Sequence, residues 1–271
     1  MNILKLLAFD MDGTLGEQGG SFMQRTVSCL RCLQSAGLII GPATGKNDGY
    51  CGGVACGAGL EPWEFMITET GAQFLERISI CPPAYRQKKL PGVDKDLNRF
   101  QELIRYRQFG RTFQFYDREE NFRPELKEGI ITMFPAGSEL DVTIPWIPYF
   151  EGIIKHFRLS LKIQRHSDGC IDIVPSMVSK ALGIKNVCDV YGIEPANIIT
   201  AVDGVNDMEL TQGGVVPIAV GNAIPAIKAA VKAAGGYVAQ ANYGDGFIEG
   251  MKFYAQNGRF EPKINNIILS F

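Results

Sequence analysis

Asp10 and Asp12 stand two residues apart at the end of an apolar run that begins near Ile3, with Gly13 just beyond them. Thr44 and Lys46 lie in Pro42-Ala43-Thr44-Gly45-Lys46-Asn47, Lys180 lies near the start of a helical stretch, and Asp203, Asn206 and Asp207 share the segment 203–207. Carboxylates drawn from two strands make an oxygen-rich site suited to Mg²⁺, which takes few protein oxygens and keeps several waters. Thr44 offers a hydroxyl donor and Lys180 a point charge. A metal, a lysine and a hydroxyl around a carboxylate nucleophile are the parts of a phosphoryl-transfer site. Each group also has a blander reading. Asp and Gly are ordinary turn residues, a helix lysine is commonly solvated, and the dipole alone favours Asp207 at a helix N-terminus.

For these groups to meet, the segments carrying them must end on one edge of a sheet. Ile3–Phe9 has almost no polar alternation, which predicts a strand buried on both faces, and Gly13 lets the chain turn after it. Ser21–Ala36 reads as an amphipathic helix with Phe22, Cys29, Leu30 and Leu33 near one face and Gly37 as its stop. Leu38–Gly41 reads as a strand, the Gly/Ala-rich 49–59 as an irregular or weak helix, Phe65–Thr68 as a strand and 69–72 as a turn. This alternation predicts a parallel sheet with crossover helices, whose ligands sit outside the carboxyl ends of the strands.

After Cys81-Pro82-Pro83 the character changes. Residues 84–170 hold most of the Arg and Lys and many aromatics, among them Tyr106, Phe109, Phe113, Phe115 and Tyr116. Val93–Arg107 and Trp146–Phe157 read as helices. Gly129–Phe134, Leu159–Gln164 and Cys170–Val174 read as strands, the last two joined by a hairpin turn at Ser167-Asp168-Gly169. That is an antiparallel α+β pattern, placed as a second domain at 83–174 inside a core of 1–82 and 175–271. The first pattern then resumes: a helix Met177–Tyr191, strands Ile198–Val202 and Val215–Val220, a helix Ala223–Ala234, a short strand Tyr237–Ala239 and a final helix Gly246–Tyr254. The fold class is α/β, a Rossmann-like parallel-sheet core with an inserted α+β domain.

A formal net charge of −2 over 271 residues gives no electrostatic footprint for nucleic acid or an anionic membrane. No apolar run approaches the roughly 20 residues of a spanning helix, and the N-terminal run lacks a cleavage-type flank, so the expected compartment is the cytoplasm. Cys29 and Cys32 form a C-x-x-C. No second pair follows, however, and His156 and His166 are distant, so buried free thiols are the stronger reading than metal or redox chemistry.

The ordered motifs resemble the haloacid dehalogenase-like phosphatase superfamily. Asp10-Met11-Asp12-Gly13-Thr14 is similar to its first motif, Ala43-Thr44-Gly45-Lys46 to its second, Lys180 to its third and Asp203-Gly204-Val205-Asn206-Asp207 to its fourth. The insert before Ser179-Lys180-Ala181-Leu182 resembles the type-two (C2) cap of the Cof-like subgroup, as do Glu69-Thr70-Gly71-Ala72, Ala219-Val220-Gly221-Asn222-Ala223 and Gly244-Asp245-Gly246. The resemblance implies Asp10 as nucleophile, through an aspartyl-phosphate, and Asp12 as acid and then base. It implies phosphate contacts from Thr44, Gly45, Lys46, Lys180 and Asn206. It further implies Mg²⁺ held by Asp10, the Asp12 carbonyl, Asp203 and Asp207.

Two positions depart from the subgroup's habit: Val202 precedes Asp203 where a glycine is common, and Lys46 stands where arginine often gives a bidentate grip. In the insert, Arg165, His166, Asp168 and Asp172 are candidate substrate selectors, or simply the polar residues that hairpins carry. The expected activity is Mg²⁺-dependent hydrolysis of a small phosphate ester, a sugar phosphate or phosphoglycolate-like acid. A phosphomutase of the same superfamily and a non-catalytic sugar-phosphate-binding protein are the alternatives. The oligomeric state and the role of Arg259–Phe271 are left open.

Overall fold

The computed structural model describes residues 2–17, 22–89, 93–105, 122–125, 127–135, 144–166 and 169–271. Its first strand, β1 (Leu6–Phe9), is buried at every position, as its lack of polar alternation requires. Helix α1 (Gln24–Ala36) follows and ends where Gly37 enters the left-handed region at φ 94°. It begins three residues later than its sequence suggested, so Phe22 precedes it; Ser21 lies outside the described residues. Within α1, Cys29 faces the core while Cys32 faces solvent.

Next come β2 (Ile39–Pro42), α2 (Asp48–Gly57) and β3 (Phe65–Thr68). Despite its glycines, α2 is a regular ten-residue helix rather than an irregular one. Asn47 caps it by accepting the Tyr50 N–H at 2.8 Å, and Trp63 Nε1–H donates to Cys51 O at 2.9 Å. A hairpin of β4 (Gln73–Ile80) and β5 (Pro83–Lys89) extends β3 into a three-stranded sheet. No alternation of residue types predicts this hairpin.

The chain divides into two compact units, Met1–Lys88 with Ser179–Phe271, and Lys89–Val178. In the first, α5 (Lys180–Tyr191), β10 (Ile198–Val202), β11 (Val216–Ala219), α6 (Pro225–Ala233), β12 (Tyr237–Val238), α7 (Tyr243–Gln256) and α8 (Pro262–Ser270) complete the fold. The second holds α3 (Val93–Arg105), β6 (Phe122–Glu125), β7 (Ile131–Pro135), α4 (Ile147–His156), β8 (Leu161–Arg165) and β9 (Ile171–Pro175).

The main sheet of the first unit has the order β12-β11-β10-β1-β2, all parallel. Leu6 sits level with Ile39 on one side and Ile198 on the other. An isolated parallel bridge, Ala43 to Ile67, lays β3 beside the end of β2. The carboxyl ends of five strands therefore share one edge, which is what brings residues 10, 44, 69, 203 and 221 near one another. Below that edge Phe9 and Trp63 pack edge-on at 5.4 Å, both fully buried, and truncating either to Ala would cost roughly 3–5 kcal/mol. α7 is not the last helix: α8 follows it, with Ile264 and Ile268 buried in the core, which assigns the C-terminal tail.

The second unit is a four-stranded antiparallel sheet, β6-β7-β9-β8, with two helices. Phe100 of α3 meets Phe150 of α4 at 5.8 Å, both fully buried. Strand β6 was not foreseen. Arg107, the five aromatics at 106–116 named above, Ser167 and Asp168 lie outside the described residues. Among the described residues no helix is long and apolar enough to cross a membrane.

Candidate active site

Backbone hydrogen bonds stitch the strand ends together before any side chain contributes. The Asp10 N–H donates to Ala201 O at 3.0 Å, Ala43 N–H to Phe9 O at 2.7 Å, and Thr44 N–H to Ile67 O at 2.9 Å. Gly13 turns the chain at φ 84°, and a Cβ there would lie 2.4 Å from Asp203 Oδ2, so only glycine lets the first loop approach the carboxylate that follows β10.

On this frame the Lys180 ammonium donates to Asp10 Oδ1 at 2.7 Å and to Asp207 Oδ1 at 2.6 Å. Lys180 and Asp207 are completely buried and Asp10 is 4% exposed. Asp203 completes the group, its Oδ1 accepting the Thr14 hydroxyl at 2.6 Å. Asp207 Oδ2 accepts the N–H groups of Asp203 and Gly204 at 3.2 and 3.3 Å, which fixes that carboxylate at the start of a 3₁₀ turn. Lys180 reaches this point because Ser179 caps α5, its Oγ accepting the Leu182 N–H at 3.1 Å.

Three carboxylates against one ammonium leave two formal negative charges in a buried pocket. The consequences appear in the pKa values. Burial, then the Asp207 charge, push Asp10 well above the ordinary carboxylate value against the pull of Lys180. Burial and Asp207 also push Asp203 up to about 6, with the Thr14 hydrogen bond working the other way. Burial opposes the Lys180 charge, but Asp10 and Asp207 outweigh it and hold its pKa above the ordinary lysine value. Carboxylate oxygens from Asp10, Asp203 and Asp207 lie within 4.8 Å of one another. An all-oxygen donor set with two uncompensated charges fits a hard divalent cation.

The other residues singled out in the sequence stand at varied distances from this group. Asp12 lies outside the carboxylate cluster, with its Oδ2 3.7 Å from Lys46 Nζ and its Oδ1 3.5 Å from the Tyr50 hydroxyl. Thr44 is buried, and its Oγ1 accepts the Lys46 N–H across Gly45 at 3.2 Å. Asn206 folds back over its own loop, where a Cβ on Gly204 would lie 2.6 Å from Asn206 Oδ1. Among the described residues it makes no hydrogen bond to the Asp10–Lys180–Asp207 group. Thr14, Tyr50 and Asn222 were given no role from the sequence. Asn222 donates to Gly13 O at 2.6 Å and accepts the Tyr243 N–H at 2.7 Å, tying the first loop to α7. Its place just after β11, on the functional edge, was the signal available.

The inserted unit contains its own buried carboxylate. Asp172 Oδ1 accepts the Thr132 hydroxyl at 2.5 Å, Thr132 Oγ1 accepts from Lys127 Nζ at 2.7 Å, and His166 Nε2 lies 2.8 Å from Asp172 Oδ2. Cys170 Sγ is 4.0 Å from Asp172 Oδ1. Burial alone would raise the Asp172 pKa, but the His166 hydrogen bond and charge, Lys127 and Thr132 outweigh it and hold it below the ordinary value. His166, distant from the Cys29–Cys32 pair and a candidate substrate selector in the sequence, is thus close to Cys170 and Asp172. Asp168 lies outside the described residues.

A sequence profile of the haloacid dehalogenase-like hydrolases matches residues 85–250, more than half of the chain. A phosphoglycolate phosphatase of Methanosarcina acetivorans is 31% identical over 88 residues, 32% of this chain and 37% of that protein. The chain therefore spans little more than a third of that relative's length. A phosphatase-named protein of Mycoplasma genitalium is 24% identical over 246 residues, covering 81% of this chain and 88% of its own. Among solved structures, the sucrose-phosphatase of Synechocystis, in complex with sucrose and phosphate, superposes with a TM-score of 0.65. That match covers 94% of this chain and 98% of the other at 17% identity, a likeness of fold.

Proposed function

The chain belongs to the haloacid dehalogenase-like hydrolases, and from that premise we propose that its core site hydrolyses a small phosphate monoester with Mg²⁺, through an aspartyl-phosphate. The observation that carries this reading is the fully buried Lys180 shared between Asp10 and Asp207, with Asp203 beside them. Pure binding of a phosphate would need cations and amides. It would not need three carboxylates where the anion sits.

Asp10, Asp203 and Asp207, with the Asp12 backbone carbonyl, would hold the Mg²⁺. When bound, it supplies positive charge that offsets both the carboxylates and the phosphoryl oxygens. Asp10 is the nucleophile: one of its oxygens bonds to phosphorus while the ester oxygen leaves. Lys180 grips Oδ1 and so sets the rotation of that carboxylate. Asp12 gives its proton to the departing oxygen, then takes one from the water that attacks phosphorus and frees Asp10. Its position outside the cluster, beside Lys46 and Tyr50, suits a group that must change protonation state. Thr44, the Gly45 backbone, Lys46 and Asn206 are the remaining phosphate contacts in this reading.

The substrate class is a phosphorylated sugar or a phosphoglycolate-like acid, supported by the phosphoglycolate phosphatase and sucrose-phosphatase relatives. The inserted segment, 83–174 in the sequence reading, is the part that selects it. Seven free thiols support a reducing compartment such as the cytoplasm.

Phosphate release from sugar phosphates, phosphoglycolate and p-nitrophenyl phosphate tests the proposal. Turnover is expected with Mg²⁺, with loss on chelation and a fall of at least about 10³-fold in Asp10→Asn. A folded protein that releases no phosphate from any of these esters with Mg²⁺ present would refute it.

A further inference from the structure

Between β3 and β4 the chain adopts a conformation that its residues avoid. Glu69 and Thr70 lie at φ 51° and 61°, followed by Gly71 at 96°. Two successive non-glycine residues in the left-handed region are uncommon, and Thr70 is β-branched, which makes its place there a true outlier. All three are buried, so nothing in solvent stabilises the turn. Its hydrogen bonds and packing must hold it.

Those contacts reach two separate parts of the site. The Glu69 N–H donates to Lys46 O at 2.9 Å and the Thr70 N–H to Thr44 O at 3.0 Å. Two adjacent amides thus grip the carbonyls on either side of Gly45. Thr70 Oγ1 lies over the same loop, 3.6 Å from where a Gly45 Cβ would be. The other end of the turn presses on α5: a Cβ on Gly71 would stand 2.0 Å from Ser179 O and 3.1 Å from Lys180 N. One turn further along α5, a Cβ on Gly183 would stand 2.3 Å from Ile67 Cγ2, so the start of α5 is seated directly on β3 as well.

We propose that Glu69-Thr70-Gly71 is a positioning clamp that fixes the Thr44–Lys46 loop relative to the start of α5, and so sets the separation of Thr44 from Lys180 around Asp10. The proposal rests on the phosphatase reading above. Thr44 and Lys180 come from loops more than 130 residues apart in the chain, and both must contact the same phosphoryl group. The strained turn touches both, as a continuation of β3, which meets each of them through Ile67. Its side chains need not meet substrate, and its amides and the bare Cα of Gly71 do the holding.

The test compares the full chain with Gly71→Ala, whose methyl group has no room against Ser179. Calorimetry gives the affinity for inorganic phosphate with Mg²⁺ present, and p-nitrophenyl phosphate gives kcat, KM and the Mg²⁺ concentration for half-activation. The clamp predicts a folded variant with phosphate affinity and kcat each lowered at least about ten-fold, and with Mg²⁺ half-activation unchanged or lower. The metal's carboxylates stand on loops the turn does not grip. Wild-type phosphate affinity and kcat in the variant would overturn the proposal, as would equal losses toward phosphate and Mg²⁺. A wild-type protein that neither binds phosphate nor turns over would instead refute the phosphatase reading itself.

If Gly71→Ala does not fold, amide exchange in the wild type decides. The clamp predicts slow exchange at Glu69 and Thr70 that slows further, together with Lys180, when phosphate binds. Exchange there that ignores phosphate while residues 44–46 respond would overturn it.

Discussion

The two units of this protein each bury a carboxylate network, and the two networks are balanced in opposite ways. In the inserted unit Asp172 meets the His166 ring, the Thr132 hydroxyl and, through Thr132, Lys127, and its pKa is held below the ordinary carboxylate value. In the core unit Lys180 is shared by Asp10 and Asp207 with Asp203 beside them, and Asp10 and Asp203 are pushed upward. In the first network the partners of the carboxylate outweigh the cost of its burial. The second is short of positive charge, and the shortage matches the divalent cation that its residue types suggest. A buried carboxylate is therefore not informative by itself. What separates a structural network from a reactive one is whether its charges cancel.

The comparison breaks most severely if Lys180 is removed. Lys180→Met leaves the buried Asp10 and Asp207 without the cation they share, and a destabilisation of about 3–5 kcal/mol is expected from chemical denaturation without metal. Phosphate release should fall by about 10²–10³-fold or more even where the variant is fully folded. Stability that matches the wild type would mean that the ion pairs contribute nothing. Next in size is Asp172→Asn, which should cost about 1–3 kcal/mol in the inserted unit, where the Asn amide replaces an oxygen that accepts from His166 or Thr132.

Acid titration sharpens the contrast, because the signs differ. Asp172 has a depressed folded pKa, so its stabilisation is present above the ordinary carboxylate range and is lost as pH falls through the lower folded value. Asp203 has a raised one, so the metal-free folded core binds more protons than the unfolded chain between the ordinary value of 3.8 and about 6. Over that window the Asp203 contribution to core stability should decline as pH rises. Amide exchange of peptides from each unit across pH 3–7 should show the inserted unit loosening in acid and the metal-free core loosening toward neutrality. Parallel behaviour of the two would remove the distinction.

The smallest expected effect is that of Thr14→Val. It deletes one hydrogen bond to Asp203 and should weaken Mg²⁺ activation several-fold, with about 1 kcal/mol lost in stability. A kinetic constant for Mg²⁺ indistinguishable from wild type would assign Thr14 to the turn alone.

Much of the core was legible because its signals are local. The buried run of β1, the strands Phe65–Thr68 and Ile198–Val202, and Gly37 as a helix stop were readable from residue type and periodicity. That Lys180 lies beside Asp10, 170 residues away, follows only once the strands are known to be parallel. The β4–β5 hairpin was not legible, since Glu76 to Lys89 mixes exposed isoleucines with charges and two prolines and shows no clean alternation. Helix α2 was underestimated because glycine propensity was weighed without the Asn47 cap and the Trp63 contact that hold it. The left-handed pair Glu69–Thr70 carries no propensity signal at all. Tertiary contacts force it, and only the folded chain reveals it.

The most direct test of the charge argument is calorimetric titration of the metal-free protein with Mg²⁺ at pH 7, in two buffers of different ionisation enthalpy. One ion per chain is expected, with release of only a fraction of a proton from Asp203, whose pKa of about 6 leaves it mostly ionised at pH 7, and with loss of both binding and proton release in Asp203→Asn. The same experiment on Asp172→Asn should match the wild type. No binding by the folded wild type, or binding that Asp203→Asn leaves intact, would contradict the claim that the core pocket is built around missing positive charge.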